Sequence, residues 1–213
     1  MAKVIIIGSG GHAKVLADAL ICAGIDIFGF TSLCPLVQNH GSVLSKFNFL
    51  GDDNSLDKFN NKEMVLVNGI GGVDCLRLRQ EVQIKLEKNG WRFIGVRHPT
   101  AVISQFADVE SEVQLLAGSI VQPGSKVGRG CIINTGAIVE HDVALGEFIH
   151  VAPGATVCGN SIIQSNSHIG AGAIIRQGIL LGSNTLVGAG AVVVKNFEGN
   201  GNLVGLPAIK NIS

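Results

Sequence analysis

Charge is scarce in this chain. Asp, Glu, Lys and Arg together make up 15% of its 213 residues, and the formal net charge is zero. No Lys/Arg-rich block occurs, which argues against nucleic acid or an anionic membrane as partner, since both need a basic surface. Long apolar runs are missing too. The longest early one, Val4 to Ile7, is far too short for a signal peptide or a spanning helix. The cysteines, at 22, 34, 75, 131 and 158, are odd in number and lack CxxC spacing. They read as reduced core thiols of a cytoplasmic protein. With 46% hydrophobic residues, little of the chain should be disordered. The length admits one large or two small domains.

Glycine is plentiful, at 29 residues, and it is periodic. Stepping by six from Ile103 to Val193 gives sixteen consecutive anchors, every one Ile, Leu or Val. Two residues before each next anchor the side chain is usually small, as at Ser119, Ser125, Cys131, Ala137 and Ala155. The position between, from Gly118 to Asn196, is Gly or Asn in twelve of fourteen cases. This is the pattern of a solenoid. Each hexapeptide supplies one short strand and one corner, the aliphatic anchor points inward, and Gly or Asn suits the corner. Three hexapeptides close a coil of 18 residues, so the anchors give about five coils. The run resembles the hexapeptide-repeat acyltransferases, and the resemblance implies a left-handed parallel β-helix.

The first hundred residues follow another logic. KVIIIGSGGHAKVLADALICAG reads as strand, Gly turn and helix, with Gly8, Gly10 and Ala13 in a GxGxxA arrangement. Val15, Leu16, Ala19 and Leu20 give that helix an apolar face. IDIFGF and MVLVNGIGG predict two further strands. CLRLRQEVQIKLEKNG predicts a helix with apolar positions Leu76, Leu78, Val82, Ile84 and Leu86, and WRFIGVRHP a last strand. The expectation is an α/β, Rossmann-like domain over residues 1–98 and the solenoid over 99–213, with His98-Pro99 at the junction. Such a glycine turn lets backbone N–H groups approach a pyrophosphate at a helix N-terminus. A dinucleotide reader also places an acid at the end of the second strand, where this chain has Thr31 and Ser32. That disfavours NAD and leaves a nucleotide-sugar pyrophosphate or a plain tight turn.

The solenoid rhythm breaks twice, at Asp142 and Phe148, just after Glu140 and His141. A corner projects outward, and Asp142 beside it could accept a hydrogen bond from the imidazole. That would fix the tautomer and raise basicity, as for a general base. The alternative is a surface histidine at an irregular corner.

From end to end the chain resembles the sugar acetyltransferases typified by bacterial UDP-4-amino-sugar N-acetyltransferases and their sialic acid O-acetyltransferase relatives. The motifs that carry this are GSGGH (Gly8, Ser9, Gly10, Gly11, His12), Asn134-Thr135 followed by Glu140-His141-Asp142, His150-Val151-Ala152-Pro153-Gly154, the Gly159-Asn160 corner and Gly205-Leu206-Pro207-Ala208. The resemblance implies His141 as general base, Asp142 as its orienting carboxylate and Glu140 as a helper. It implies an acetyl-CoA cleft between subunits, lined by His150 and by groups near Gly159, Ala171, Gly188 and Ala189, with Pro207 in a closing loop. Asn134 would face the acceptor. Gly8 to His12, Thr31, Ser32 and the Asn68 to Gly72 loop, with Gly71, would hold the nucleotide. The chain departs from the 4-amino-sugar enzymes in having Thr31-Ser32, then Cys34-Pro35, where they carry acids.

The activity implied is acetyl-CoA-dependent N-acetylation of a nucleotide-linked 4-amino-4,6-dideoxy sugar, by direct attack on the thioester. Rival readings are O-acetylation of a sialic-acid-like sugar and a non-catalytic sugar- or nucleotide-binding trimer on the same scaffold. His150 and His168, 18 residues apart, should stack about 4.8 Å apart by strand spacing. A zinc site would need a third, closely spaced histidine, so no metal is expected. A homotrimer is expected, with Phe148 filling a seam between chains. The Gly-Asn run over 199–202 reads as a flexible loop before the tail.

Overall fold

The computed structural model describes residues 3–33, 42–72 and 76–210. Cys34, Pro35 and Cys75, named above, lie outside the described residues. The chain forms two compact units, Met1–Pro99 and Thr100–Ser213.

The first unit is an α/β sheet. Strand β1 (Lys3–Ile7) leads through the glycine turn into helix α1 (Gly11–Cys22) and strand β2 (Ile27–Thr31). A short strand β3 (Asn48–Phe49) follows, then β4 (Met64–Asn68) and helix α2 (Leu76–Lys88). The order is β3-β2-β1-β4 and every pairing is parallel. Val4 to Ile7 are fully buried, as their unbroken apolar run requires of a central parallel strand.

The helices depart from the expected faces. Helix α1 buries Ala13, Leu16, Ala17, Ala19 and Leu20, while Val15 is exposed. Helix α2 exposes Leu78 and Ile84 and turns Arg79 and Gln83 inward beside Leu86. The reason is a polar core. The Arg79 guanidinium donates to the carbonyls of Asn68 and Ile70, both at 2.7 Å. The Asn68 amide donates in turn to the Arg79 carbonyl at 3.0 Å and to Gln83 Oε1 at 3.1 Å. Burying these groups is tolerable because they satisfy one another. The expected last strand shrinks to Val96–Arg97, with Phe93 bridged to Leu66.

The second unit is a left-handed parallel β-helix. From Val102 to Val193 its strands pair with a shift of 18 residues, as in Ile132 with His150 and His150 with His168. The anchors from Leu115 to Val193 are buried and stack into one core. Each contributes about 1.5–3 kcal/mol by leaving water. The corners keep the sequence rhythm even where the residue type changes. Every sixth residue from Gly118 to Gly190 has positive φ, including Asp142 at 60° and Phe148 at 51°. The left-handed region costs a residue with a Cβ roughly 1–2 kcal/mol.

Phe148 offsets that cost within its own chain. Its ring is 1% exposed. It lies over Gly130, where an added Cβ would sit 2.5 Å from Phe148 Cε1, and under the Arg129 guanidinium at 5.5 Å. The expectation that Phe148 fills a seam between chains is therefore corrected: no surface of the ring is left for a neighbour. The tail is also more ordered than expected. Gly201–Gly205 extends the sheet beside Thr185–Val187 and pairs antiparallel with Ala208–Lys210, which puts Pro207 at an exposed hairpin turn. Of the described cysteines only Cys131 is buried; Cys22 is exposed and Cys158 half-buried, which corrects the reading of all five as core thiols.

Candidate active site

Corners recur every six residues and coils every 18, so the prism has three edges. Gly124, Asp142, Asn160 and Gly178 form one. Gly136, Gly154, Gly172 and Gly190 form a second, and Gly130, Phe148, Asn166 and Asn184 a third.

His141 stands on the first edge. Its Nδ1–H donates to Asp142 Oδ2 at 2.9 Å, and both side chains are more than half exposed. The left-handed φ of Asp142 turns its carboxylate back along the edge toward the preceding residue's ring. With the proton held on Nδ1, the Nε2 lone pair is the free, basic position. The backbone beneath is fixed from both neighbouring coils. Ser125 Oγ donates to the Glu140 carbonyl at 2.6 Å, Asp142 N–H to the Pro123 carbonyl at 3.1 Å, and Asn160 N–H to the His141 carbonyl at 3.1 Å.

The next coil supplies the seat of the ring. A Cβ added at Gly159 would lie 2.6 Å from both Cε1 and Nε2 of His141, so the imidazole rests directly on the glycine Cα. Cys158 precedes it. Burial, and after it the nearby Glu140 charge, pushes the Cys158 thiol up, so this cysteine is kept a thiol rather than a nucleophilic thiolate.

A second cluster lies on a different face, between the second and third edges. Thr135 N–H donates to Asn134 Oδ1 at 2.7 Å, which turns the Asn134 amide N–H toward His150 Nε2 at 2.9 Å. His150 Nε2 must then accept, so this ring is neutral with its proton on Nδ1. Its ring centroid is 4.9 Å from that of His168, close to the coil spacing, and both rings are buried. Ala171 and Ala189 stand exposed one coil apart on the second edge, and Gly188 lies just ahead of Ala189. Within one chain, then, Glu140, His141, Asp142 and Gly159 come together, and Asn134 joins His150. Ala171, Gly188 and Ala189 belong to another edge, and Pro207 to the terminal hairpin.

In the first unit, Gly8 to His12 and the Asn68 to Gly72 loop meet at the carboxyl ends of β1 and β4. The chain order reverses there, and open α/β sheets bind ligands at such switch points. Gly8 has φ +100°, and among the described residues nothing beyond the flanking residues and the helix's own backbone comes within 4 Å of a Cβ built on Gly10 or Gly11. No side chain caps α1 and no acid stands in its first turn, so its N-terminal amides suit an anion. Gly71 closes over the His12 Cβ. Asn68 and Thr31 are buried and spend their polar atoms on the protein: Asn68 also accepts from Ile70 N–H, and Thr31 Oγ–H donates to Asp53 Oδ1 at 2.6 Å. They shape the loops. Ser9 and Ser32 bring their hydroxyls within 2.7 Å of each other. Asp53 was not foreseen; its only sequence signal is an acidic pair after Gly51. Among the described residues no group of three His, Cys, Asp or Glu side chains converges as metal ligands would, and no helix is long and apolar enough to cross a membrane.

An imidazole oriented by a carboxylate on a hexapeptide-repeat solenoid, preceded by a parallel α/β sheet with an open glycine turn, is suited to base-assisted group transfer. Comparison with known proteins narrows this. The PglD N-terminal domain family matches residues 3–86. Perosamine N-acetyltransferase from Caulobacter crescentus, solved as an H141N variant with CoA and GDP-perosamine, is 30% identical over 100% of this chain and 98% of its own, with a TM-score of 0.92. PerB from the same organism, with the same ligands, is 32% identical over 99% and 98%, with a TM-score of 0.90. The acetyltransferase domain of PglB from Neisseria gonorrhoeae is 31% identical over 99% and 100%, at 0.89. The chain belongs to the hexapeptide-repeat sugar acetyltransferase family that these proteins represent.

Proposed function

We propose that this enzyme transfers the acetyl group of acetyl-CoA to the amine of a nucleotide-linked 4-amino-4,6-dideoxy sugar. The observation that carries the reading is the His141–Asp142 pair, with Nε2 free and the ring seated on Gly159. The relatives solved with CoA and GDP-perosamine supply the substrate class. As the amine attacks the thioester carbonyl, Nε2 takes its proton and CoA leaves as the thiolate. A positioned base of this kind contributes on the order of 10²–10⁴ in rate. The nucleotide is held by residues 1–99, its pyrophosphate at Gly10 and Gly11 on the α1 N-terminus. Donor and acceptor are metabolites of the cytoplasm, where the reading locates the enzyme.

The reading includes a homotrimer. The face between the His141 edge and the Ala171 edge carries Val102, Ile120, Ile138, Thr156, Ile174 and Val192 in register. Val102 is 61% and Ile174 43% exposed. An aliphatic ladder of this kind suits burial against another copy. Packing there would bring the His141 edge of one chain toward the Ala171 and Ala189 edge of the next, completing a cleft that a single chain divides. Native mass spectrometry checks the assembly; a monomer would remove this part.

The test of activity is a panel of acceptors assayed with acetyl-CoA by free-thiol release. It includes UDP-, GDP- and dTDP-linked 4-amino sugars and a free sialic-acid-like sugar. Thiol release with a nucleotide-linked amine supports the reading. Release only with the sialic-acid-like sugar would replace it by O-acetylation.

A further inference from the structure

The first unit lacks the acid that a nucleotide-binding sheet carries at the end of its second strand, yet the fold delivers a carboxylate to that place. Ser32 N–H donates to the Gly51 carbonyl at 2.9 Å, which draws the Gly51–Asp53 turn against the end of β2. There the fully buried Thr31 hydroxyl donates to Asp53 Oδ1. The two acids of this turn have different duties. Asp52 is occupied: its Oδ2 accepts from the Asn54 amide at 2.9 Å and its Oδ1 from Ser55 Oγ at 3.4 Å. Asp53 is held by one oxygen only, and its Oδ2 has no hydrogen-bond partner among the described residues.

We infer that Asp53 binds the ribose 2′-hydroxyl of the nucleotide carrier and so selects ribonucleoside over 2′-deoxyribonucleoside diphosphates. The inference rests on the reading of residues 1–99 as the nucleotide-binding unit. Three features favour a neutral hydroxyl ligand here. A carboxylate repels phosphate, so the anionic part of the ligand goes to Gly10 and Gly11, one strand away on β1. A ligand whose pyrophosphate sits on the first glycine turn runs across the ends of β1 and β2, which puts its ribose at the second strand. The Ser9–Ser32 hydroxyl pair bridges the ends of the same two strands, giving the path a polar lining. A buried hydroxyl that locks one oxygen of a half-buried carboxylate is a means of aiming the other. Specificity from one charged hydrogen bond is about tenfold or more, because losing the hydroxyl leaves the carboxylate without its partner.

The experiment is calorimetric titration of the full chain with UDP, dUDP, GDP and dGDP, where the deoxy compounds lack only the 2′-hydroxyl. The wild type should bind one ribonucleotide about tenfold or more tightly than its deoxy partner. Asp53→Ala should bring that ratio close to one by weakening the ribonucleotide alone. The double variant Thr31→Val/Asp53→Ala removes both ends of the buried bond, leaves no orphaned hydroxyl, and should behave the same way. A ratio is insensitive to a general loss of folded protein. A wild-type ratio near one, or a ratio unchanged in both variants, overturns the inference while leaving the nucleotide-binding unit intact. Failure of all four probes to bind wild type overturns the nucleotide reading itself.

Discussion

Gly159 is the most exacting test of how the site is built, because the change is a single methyl. In Gly159→Ala the new Cβ would sit 2.6 Å from His141 Cε1 and Nε2 and 3.1 Å from Cδ2. Ordinary contact needs about 3.5–4.0 Å between carbon atoms, so the ring must move by roughly 1 Å. The movement has a direction. His141 is more than half exposed and can swing outward, which lengthens the 2.9 Å bond to Asp142 and carries Nε2 off its line. A displacement of that size costs on the order of 10²-fold in rate. Stability should hardly suffer, since Gly159 is outside the positive-φ corners and Gly→Ala at a compatible backbone stabilises by about 0.4–1 kcal/mol through the unfolded chain. The assay is steady-state kinetics in both substrates beside a thermal melt. The account requires a low kcat and an unchanged or raised Tm. A wild-type kcat would show that the imidazole is not seated on Gly159 during turnover.

Three further substitutions probe separate parts. Gly10→Val places a branched side chain where, among the described residues beyond its chain neighbours, nothing lies within 4 Å; it should raise KM for the acceptor and spare that for acetyl-CoA, and an equal rise in both would refute the division of labour. Phe148→Ala removes a fully buried ring but keeps the Cβ and with it the left-handed strain, so it should cost about 3 kcal/mol, seen as a lower denaturation midpoint; a loss under about 1 kcal/mol would mean that the ring's packing over Gly130 contributes little. Cys158 should alkylate more slowly than the exposed Cys22 at neutral pH, because its raised pKa leaves less thiolate. Glu140→Gln removes one of the two causes of that shift and should quicken Cys158 alkylation; an unchanged rate would leave burial as the sole cause.

The solenoid was legible in the sequence because its period is fixed by geometry. Eighteen residues close a coil, so the anchor at Val151 must resemble those at Ile133 and Ile169, and the corner geometry persists at Asp142 and Phe148 despite their side chains. The His141–Asp142 pair was legible for a related reason: neighbours in sequence at a corner are neighbours in space. What escaped were contacts that period and proximity do not encode. The Arg79 network depends on loop carbonyls 9 and 11 residues away, so α2 turned polar groups inward where its apolar pattern pointed elsewhere. Asp53 reaches Thr31 across 22 residues of chain. Phe148 was misjudged because bulk at a corner suggests an outward ring, whereas Gly130, one coil earlier, leaves a place for it inside the chain's own surface. That Ala171 and Ala189 stand on a different prism edge from His141 became visible only once the corners were assigned to edges.

The central claim is that His141 removes the proton of a nucleotide-linked sugar amine during acetyl transfer. It is tested most directly by kcat and KM of His141→Ala against wild type, with the amino-sugar acceptor that supports thiol release. The account predicts a fall in kcat of about 10²-fold or more, nearly unchanged KM for acetyl-CoA and a smaller loss in Asp142→Asn, where the ring survives but its orientation weakens. Wild-type turnover by His141→Ala would contradict it.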